Sequence, residues 1–502
     1  MMGELLVTSL IEIFQLKNIL FVFIGVAGGI LFGSIPGLTA TVGVALMLPL
    51  SFGLSPTTGM LLLLGVYVGG IYGGSISAIL INAPGTPASA ATIIDGYHLS
   101  KQGKAGMALK MALVASVIAG LFSAMVLIII APQIAKFALN FGPAEFFALA
   151  LFGLTMIASV SEKSLVKGMI MGFLGMFIST IGLDPIEGLP RLSFGSENFT
   201  GGVSLIPALI GLFAISEILN RSQTAHLKSD DQIGYVDTKL TFSHIKTNLK
   251  TIIKSSGIGT FIGSIPGTGA AIASFLSYNE AHRSSKKKDE FGKGSLEGIA
   301  AAEAGNNGVT GATLIPLLTL GIPGDTVTAV MLGALMMQGL TPGPQLFTNN
   351  PDVVYSIMIG LLFVNLVLLI QGKWAIKLFV KVTAVPLNML IPVLLALCFI
   401  GAYGENSTLF DVKLMMLFGL IGYVLPKFGF PVIPMLLGIV LGPIAENSFR
   451  QALITSRGDW MIFFTKPISA TFIILAILSL VLPLLTSYLG KKKNNQGVNK
   501  NV

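Results

Sequence analysis

The chain of 502 residues is poor in charge. Only 11% of it is Asp, Glu, Lys or Arg, against about 25% in a soluble globular domain. With 53% hydrophobic residues, this excludes a water-soluble fold and points to a polytopic membrane protein. The length allows roughly a dozen spans of about 20 residues. Cysteine is almost missing: the single Cys398 lies in an apolar run, so no internal disulfide can form. The four histidines show no metal-ligand spacing, and no nucleophile with a base stands out, which argues against an intramembrane enzyme. The phrase GTGAA (Gly267–Ala271) lacks the Lys-Ser/Thr ending of a phosphate loop. ATP-driven transport by this chain alone is therefore not expected. Met1–Lys17 carries Glu4 and Glu12 but no basic leading region, so no cleavable signal peptide is expected. The net charge of +8 reflects basic residues confined to a few loops, as cytoplasmic loops require, and does not indicate nucleic acid.

Glycine is abundant, with 59 copies, and suits close helix packing and backbone breaks. One stretch occurs twice: Gly-Ser-Ile-Pro-Gly at 33–37 and again at 263–267. Each copy is followed by a second break, Asn82-Ala83-Pro84-Gly85-Thr86-Pro87 in the first case and Gly321-Ile322-Pro323-Gly324-Asp325-Thr326 in the second. Proline removes a donor and blocks the helix, and glycine frees φ. In a bilayer such breaks persist only when buried in protein or lining a wet cavity. At matching places in two halves they point to a transporter binding site.

Taken in order, residues 1–17 read as an interfacial N-terminal helix. Residues 18–220 form a first transmembrane repeat, 221–254 a cytoplasmic linker, 255–466 a second repeat, and 467–502 a last span with a basic tail. Residues 18–50, uncharged and broken at Pro36-Gly37, suit a re-entrant hairpin with two arms of about 15 residues, each near 22 Å. Residues 57–94 and 298–338 each read as a discontinuous helix. Asp95 to Lys110 reads as a polar loop, and 446–466 as a polar amphipathic stretch. Other spans are expected near 111–131, 143–160, 166–183, 204–220, 353–370, 387–403, 412–426, 431–445 and 468–488.

Corresponding loops carry opposite charge character. The loop after the first hairpin (Ser51 to Thr58) is neutral, whereas its counterpart holds Arg283, Lys286, Lys287, Lys288 and Lys293. The loop after the first discontinuous helix is basic, and its counterpart, 339–352, has no Lys or Arg. By lysine and arginine bias the two repeats are inverted, with Met1 outside and Val502 inside. The expected fold is thus an all-α polytopic membrane protein of two inverted-topology repeats. Each has a re-entrant hairpin and a discontinuous helix, and a C-terminal span follows.

Broken helices offer half-helix N-termini to anions and freed carbonyls to cations. The expected substrate site comprises Ser34, Pro36, Gly37, Thr39, Asn82, Gly85, Thr86, Ser264, Gly267 and Thr268, with the four breaks converging near mid-membrane. The alternative for any one Pro-Gly pair is a tight packing turn. Asp325 and Glu303 are the only charges from Gly298 to Thr341. A carboxylate at membrane depth is a functional-site hypothesis by default. The expected cation site is Asp325, Thr326, Asn306 and Asn307. Asp325 also reads as the N-cap of a helix over Thr326–Met337, and the two readings are compatible. Glu303, near the basic loop, also reads as an interfacial charge. Asp95, His98 and Lys101 read as solvated.

The stretches Tyr67–Tyr97 (YVGGIYGGSISAILINAPGTPASAATIIDGY) and Phe261–Leu335, with FIGSIPGTGAA, EAGNNGVTGATLIPLLTLGIPGD and their flanks, resemble the large membrane subunit of the tripartite tricarboxylate transporters. The resemblance spans nearly the whole chain. It implies a permease for secondary uptake of carboxylates such as citrate and other di- or tricarboxylates, by alternating access, with Na+ or H+ as coupling ion and no other cofactor. It implies two partners, an extracytoplasmic solute-binding protein and a small membrane subunit, and residence in the bacterial inner membrane. The competing class is a channel or a single-component anion transporter.

Overall fold

The computed structural model describes residues 2–159, 164–224, 236–374, 378 and 387–481. The expected turn at Ser161-Glu162-Lys163, most of the segment 371–386 and the tail with Lys491 to Lys493 lie outside the described residues, as does part of the linker. In chain order the helices begin with α1 (Met2–Ile13), α2 (Leu16–Ser34), α3 (Ala40–Met47), α4 (Pro56–Ile81), α5 (Ala90–Lys101) and α6 (Ala105–Ala138). Then come α7 (Pro143–Ser159), α8 (Leu165–Ser179) and a two-stranded hairpin of β1 (Gly182–Leu183) and β2 (Pro190–Arg191). A helix with a π segment follows, made of α9 (Leu205–Leu209), a π turn over Ile210–Ile215 and α10 (Ser216–Thr224). The next set is α11 (Phe242–Gly263), α12 (Gly269–Ser284), α13 (Leu296–Asn307), α14 (Val309–Ala312), α15 (Leu314–Leu320) and α16 (Thr326–Met337). The chain continues with α17 (Leu346–Asn349), α18 (Pro351–Trp374), α19 (Leu387–Asn406), α20 (Leu409–Val424), α21 (Val432–Thr455), α22 (Ile462–Thr465) and α23 (Pro467–Val481). Among the described residues, eight helices are long and apolar enough to cross a membrane. The protein is an all-helical, multi-pass membrane protein.

These elements form two compact units. The first comprises Met1–Leu139 and Ile206–Tyr423, and the second Asn140–Leu205 and Val424–Val502. Each unit therefore draws on both halves of the sequence. In the first unit, α2 and α4 run side by side in the same direction, because glycines let their backbones touch. A Cβ on Gly29 would lie 2.4 Å from the Val66 carbonyl oxygen, and one on Gly33 would lie 2.1 Å from that of Gly70. Such small-residue contacts are how helices associate without a hydrophobic driving force. The second sequence half repeats the arrangement. A Cβ on Gly259 would lie 2.2 Å from the Gly305 oxygen, so α11 lies against α13 in the same way, also parallel. Between halves the direction reverses: Tyr67 of α4 meets Thr313, whereas Ser75, two turns later, meets Glu303.

In the second unit α21 packs on α7 and α8. A Cβ on Gly175 would lie 2.0 Å from the Met435 oxygen. Phe147, Phe449 and Phe463 close this unit, with the Phe449 and Phe463 rings stacked 5.5 Å apart. The β1–β2 loop is tied to α21 by ions. Asp184 accepts from Arg450 at 2.6 Å, and Arg191 grips Glu446 with both guanidinium prongs. The Glu187 amide, the Arg450 guanidinium and the Ile186 amide together hold the Asp184 carboxyl well below the usual carboxylate range.

Three expectations about local structure need correction. The two hairpin arms are unequal, 19 residues in α2 and 8 in α3, because Pro49 ends α3 in a 3-10 turn over Leu48–Ser51. The polar loop from Asp95 to Lys110 is mostly helix: α5 runs to Lys101, the turn at Gly103 has φ +74°, and α6 begins at Ala105. The first part of the amphipathic stretch 446–466 continues α21 to Thr455, and its Glu446 and Arg450 are polar because they hold the β1–β2 loop.

Candidate functional site

All four breaks are present, and they pair within each half. The first hairpin turns at Gly37 (φ +89°) and the second at Gly267 (φ +86°), a backbone shape that L side chains rarely adopt. In the first half Gly85 donates its amide to the Gly74 carbonyl at 3.3 Å, and a Cβ on Gly85 would lie 1.9 Å from the Gly33 oxygen. In the second half Gly267 donates to the Gly324 carbonyl at 2.8 Å. The halves are stitched together where α3 meets α16, by a 2.8 Å bond between the Thr41 and Thr326 hydroxyls.

Asp325 stands at that seam. It is the N-cap of α16: its Oδ1 accepts from the Thr328 amide at 2.8 Å, and its own amide donates to Thr328 Oγ1 at 2.9 Å. Its other oxygen, Oδ2, accepts from the Tyr67 hydroxyl at 2.6 Å, and Tyr67 lies 3.1 Å from Thr313 Oγ1. Tyr67 comes from the opposite half, on α4, and is fully buried. Asp325 has no cationic side chain as partner among the described residues. It is thus a cap with one oxygen to spare for a polar neighbour.

The asparagines proposed to accompany Asp325 lie elsewhere. Asn306 and Asn307 belong to a second cluster around Glu303, which is completely buried. Glu303 Oε1 accepts from Ser75 at 2.6 Å and from Thr92, and Oε2 accepts from Ser116 at 3.1 Å. Ser116 in turn accepts from Asn307 Nδ2 at 2.8 Å. Asn307 Nδ2 also donates to the Glu303 carbonyl and to Asn306 Oδ1, while Asn306 donates to the Ala88 carbonyl at 3.3 Å. The donors come from α4, α5 and α6. Glu303 is not an interfacial charge, and proximity to the basic loop concealed this.

The substrate residues expected from sequence serve the turns. Ser34 donates to Leu31 O and Ser264 to Phe261 O, the same back-bond at the same place in each half. Thr39 caps α3 by accepting from the Val42 amide at 3.3 Å. Thr268 bridges its break by donating to Ile262 O and Ile265 O. Asn82 ends α4 in a left-handed conformation and is exposed, while Gly85 and Thr86 are buried and Pro36 partly so. One residue was missed. Arg221, at the end of α10, lays its guanidinium where a side chain at Gly37 would stand: a Cβ there would fall 1.5 Å from Nη2. Glu217, one turn back, accepts from Arg221 Nε at 2.8 Å. Arg221 opens the polar linker in sequence, so it reads as a loop charge. Asp95 also needs correcting: it is fully buried and accepts from the Gly294 and Ser295 amides at 2.9 and 2.8 Å and from Tyr278 at 2.9 Å. It ties α5 to the start of α13.

No group of three or more His, Cys, Asp or Glu side chains is placed to hold a metal ion among the described residues. The site is built instead from chain breaks, hydroxyls and two separate carboxylates.

The fold and its paired breaks define a multi-pass membrane protein of the broken-helix kind. The chain belongs to the tripartite tricarboxylate transporter TctA family, whose pattern matches residues 19–437. This is a transporter family and not an enzyme family. An uncharacterized 52.8 kDa protein of the TAR-I ttuC′ 3′ region of Agrobacterium vitis is 38% identical over 478 residues, 95% of each chain. An uncharacterized protein of the TAR-II ttuC′ 3′ region of the same organism is 41% identical over 234 residues, 47% of this chain and 97% of its own length. No solved structure matches the chain.

Proposed function

We propose that the protein is the permease subunit of a cation-coupled carboxylate uptake system in the bacterial inner membrane. Two inverted repeats, spanning about 18–220 and 255–466, would alternate access, with the C-terminus cytoplasmic. The observation that carries this reading is the seam where the halves meet. There the helices that follow one break of each half, α3 and α16, meet through Thr41 and Thr326, and Asp325, with no cationic partner among the described residues, is held by Tyr67 from the opposite half. The reversal of direction between α4 and α13–α15 supports inverted repeats.

Substrate carboxylates would be held by amides at the breaks and by the Arg221 guanidinium beside Gly37, whose planar pair of donors matches a carboxylate. A di- or trianion still needs counter-charge from a coupling ion. Asp325 and the Thr326 hydroxyl are proposed as ligands of that ion, Na+ or H+, since hard cations take oxygen ligands. A solute-binding protein would dock on outward loops 184–203 and 339–352, and a small membrane subunit would complete the complex. The first of those loops is held in shape by Asp184 and Arg191.

The test is uptake into proteoliposomes carrying this chain and both partners, with a panel of di- and tricarboxylates, with and without a Na+ gradient. Accumulation that needs an imposed Na+ or proton gradient is expected. Equilibration without accumulation under either gradient would refute coupled transport.

A further inference from the structure

We infer that the Glu303 cluster is a binding site for a monovalent cation, Na+, separate from Asp325. The first ground is charge. Glu303 is completely buried and has no cationic partner among the described residues. An ionised carboxylate in such a place must be neutralised by a bound cation or a proton. The second ground is composition. On the carboxylate lie the hydroxyls of Ser75, Thr92 and Ser116, and the next neighbours through Ser116 are the side-chain amides of Asn307 and Asn306, so every side chain of the cluster carries an oxygen that suits a hard ion. One carboxylate carries one negative charge, so a monovalent ion balances it and a divalent ion would not.

The third ground separates Na+ from a proton. Asn307 Oδ1 is buried and has no hydrogen-bond partner among the described residues. The amide cannot simply be turned over, because its Nδ2 side already faces three acceptors: Ser116 Oγ, the Glu303 carbonyl and Asn306 Oδ1. A buried acceptor with no donor costs about 1–3 kcal/mol. A proton on Glu303 supplies at most one new donor, and its two oxygens already receive three hydroxyls. A cation beside the carboxylate and Asn307 Oδ1 satisfies both, once the hydroxyls rotate to present lone pairs. The cluster also joins α4, α5 and α6 to α13, so the ion would hold parts of both sequence halves together.

The experiment measures Na+ alone on the full-length chain in detergent, without substrate. It therefore stands or falls independently of the carboxylate reading. Equilibrium binding of radioactive Na+ is compared for wild type, Glu303→Gln, Asn307→Ala and Asp325→Asn. Glu303→Gln is expected to remove one bound Na+ that Asp325→Asn leaves in place. Asn307→Ala is expected to weaken that ion by roughly tenfold. If Glu303→Gln does not fold, Asn307→Ala carries the test, since it leaves the carboxylate intact. The inference is overturned if wild type binds no Na+, or if the folded variants at 303 and 307 match wild type in stoichiometry and affinity. A site that responds to pH but not to Na+ would be a proton site and would overturn it equally.

Discussion

Replacing Asp325 by Asn separates its two roles. As a cap, Asn is about as good as Asp. Its Oδ1 keeps the 2.8 Å bond from the Thr328 amide, while Nδ2 takes the place of Oδ2. Tyr67 must then stop donating there and turn its proton to Thr313 Oγ1, 3.1 Å away. The expected loss of stability is a few tenths of a kcal/mol, compared with about 1 kcal/mol for a cap removed by Ala. As an ion ligand, Asn is far worse. Unit charges about 4 Å apart attract by about 4 kcal/mol at an effective dielectric near 20, and desolvation takes back much of that. A net loss of about 1.4–2.8 kcal/mol raises half-saturating Na+ ten- to a hundredfold. The assay is initial uptake rate against Na+ concentration in proteoliposomes with both partners present. Asp352→Asn, an exposed acid at the start of α18, is the control; Asp95 would be a poor one, because it is buried and holds α13. A folded Asp325→Asn protein with wild-type rate and Na+ response would reduce Asp325 to a helix cap and move coupling elsewhere.

Other outcomes follow from the packing and the loops. Gly33→Ala should destabilise the first unit by about 3 kcal/mol, at the upper end of overpacking penalties, because the new methyl meets the Gly70 backbone at 2.1 Å. Gly28→Ala on the same helix, with its nearest contact at 3.7 Å, should be neutral or stabilising; thermal unfolding in detergent reads both. Cysteines at the exposed positions 287 and 345 should be labelled from opposite sides of the membrane, 287 from the cytoplasm. External labelling of 287 alone would reverse the proposed orientation. The folded Asp184 carboxyl titrates below its unfolded value of about 3.9. Its contribution is therefore present above that value and is lost as pH falls through the folded value. Proteolysis within 184–203 should rise only in strong acid for wild type, and already at neutral pH in Arg450→Gln, which removes a principal partner.

Much of the fold could be read from the sequence because membrane segments are long and uncharged, and Pro-Gly pairs interrupt them visibly. The four breaks and the cap at Asp325 needed only local information: a proline, a glycine, and an acid followed three residues later by Thr328. What stayed hidden was the burial of polar residues at the edges of polar stretches. Asp95 and Glu303 each lie at or near a polar stretch that carries lysines, so hydropathy averaged over a window assigns them to water. Their burial is decided by partners far along the chain. Glu303 meets Ser75, Thr92 and Ser116 at separations of 228, 211 and 187 residues, and Asp95 meets Ser295 at 200.

That distribution has a mechanical consequence. Glu303 is gripped by donors from α4, α5 and α6, and Asp325 by Tyr67, on α4 two turns before Ser75. Both carboxylates belong to the second half of the sequence, and nearly all their side-chain donors belong to the first. Any movement of one half's broken helix against the other must break hydrogen bonds to a buried carboxylate. The free energy of doing so depends on whether that carboxylate is neutralised. A bound cation weakens the hold of the hydroxyl donors, because their oxygens turn to the ion instead. Ion occupancy and the relation between the halves are then linked, and by reciprocity whatever shifts the halves shifts ion affinity by the same factor. Tyr67→Phe, which deletes one such cross-half bond and leaves both carboxylates in place, should change Na+ affinity even though Tyr67 is not itself proposed as a ligand. An unchanged affinity in the folded variant would disconnect the Tyr67 bond from ion binding.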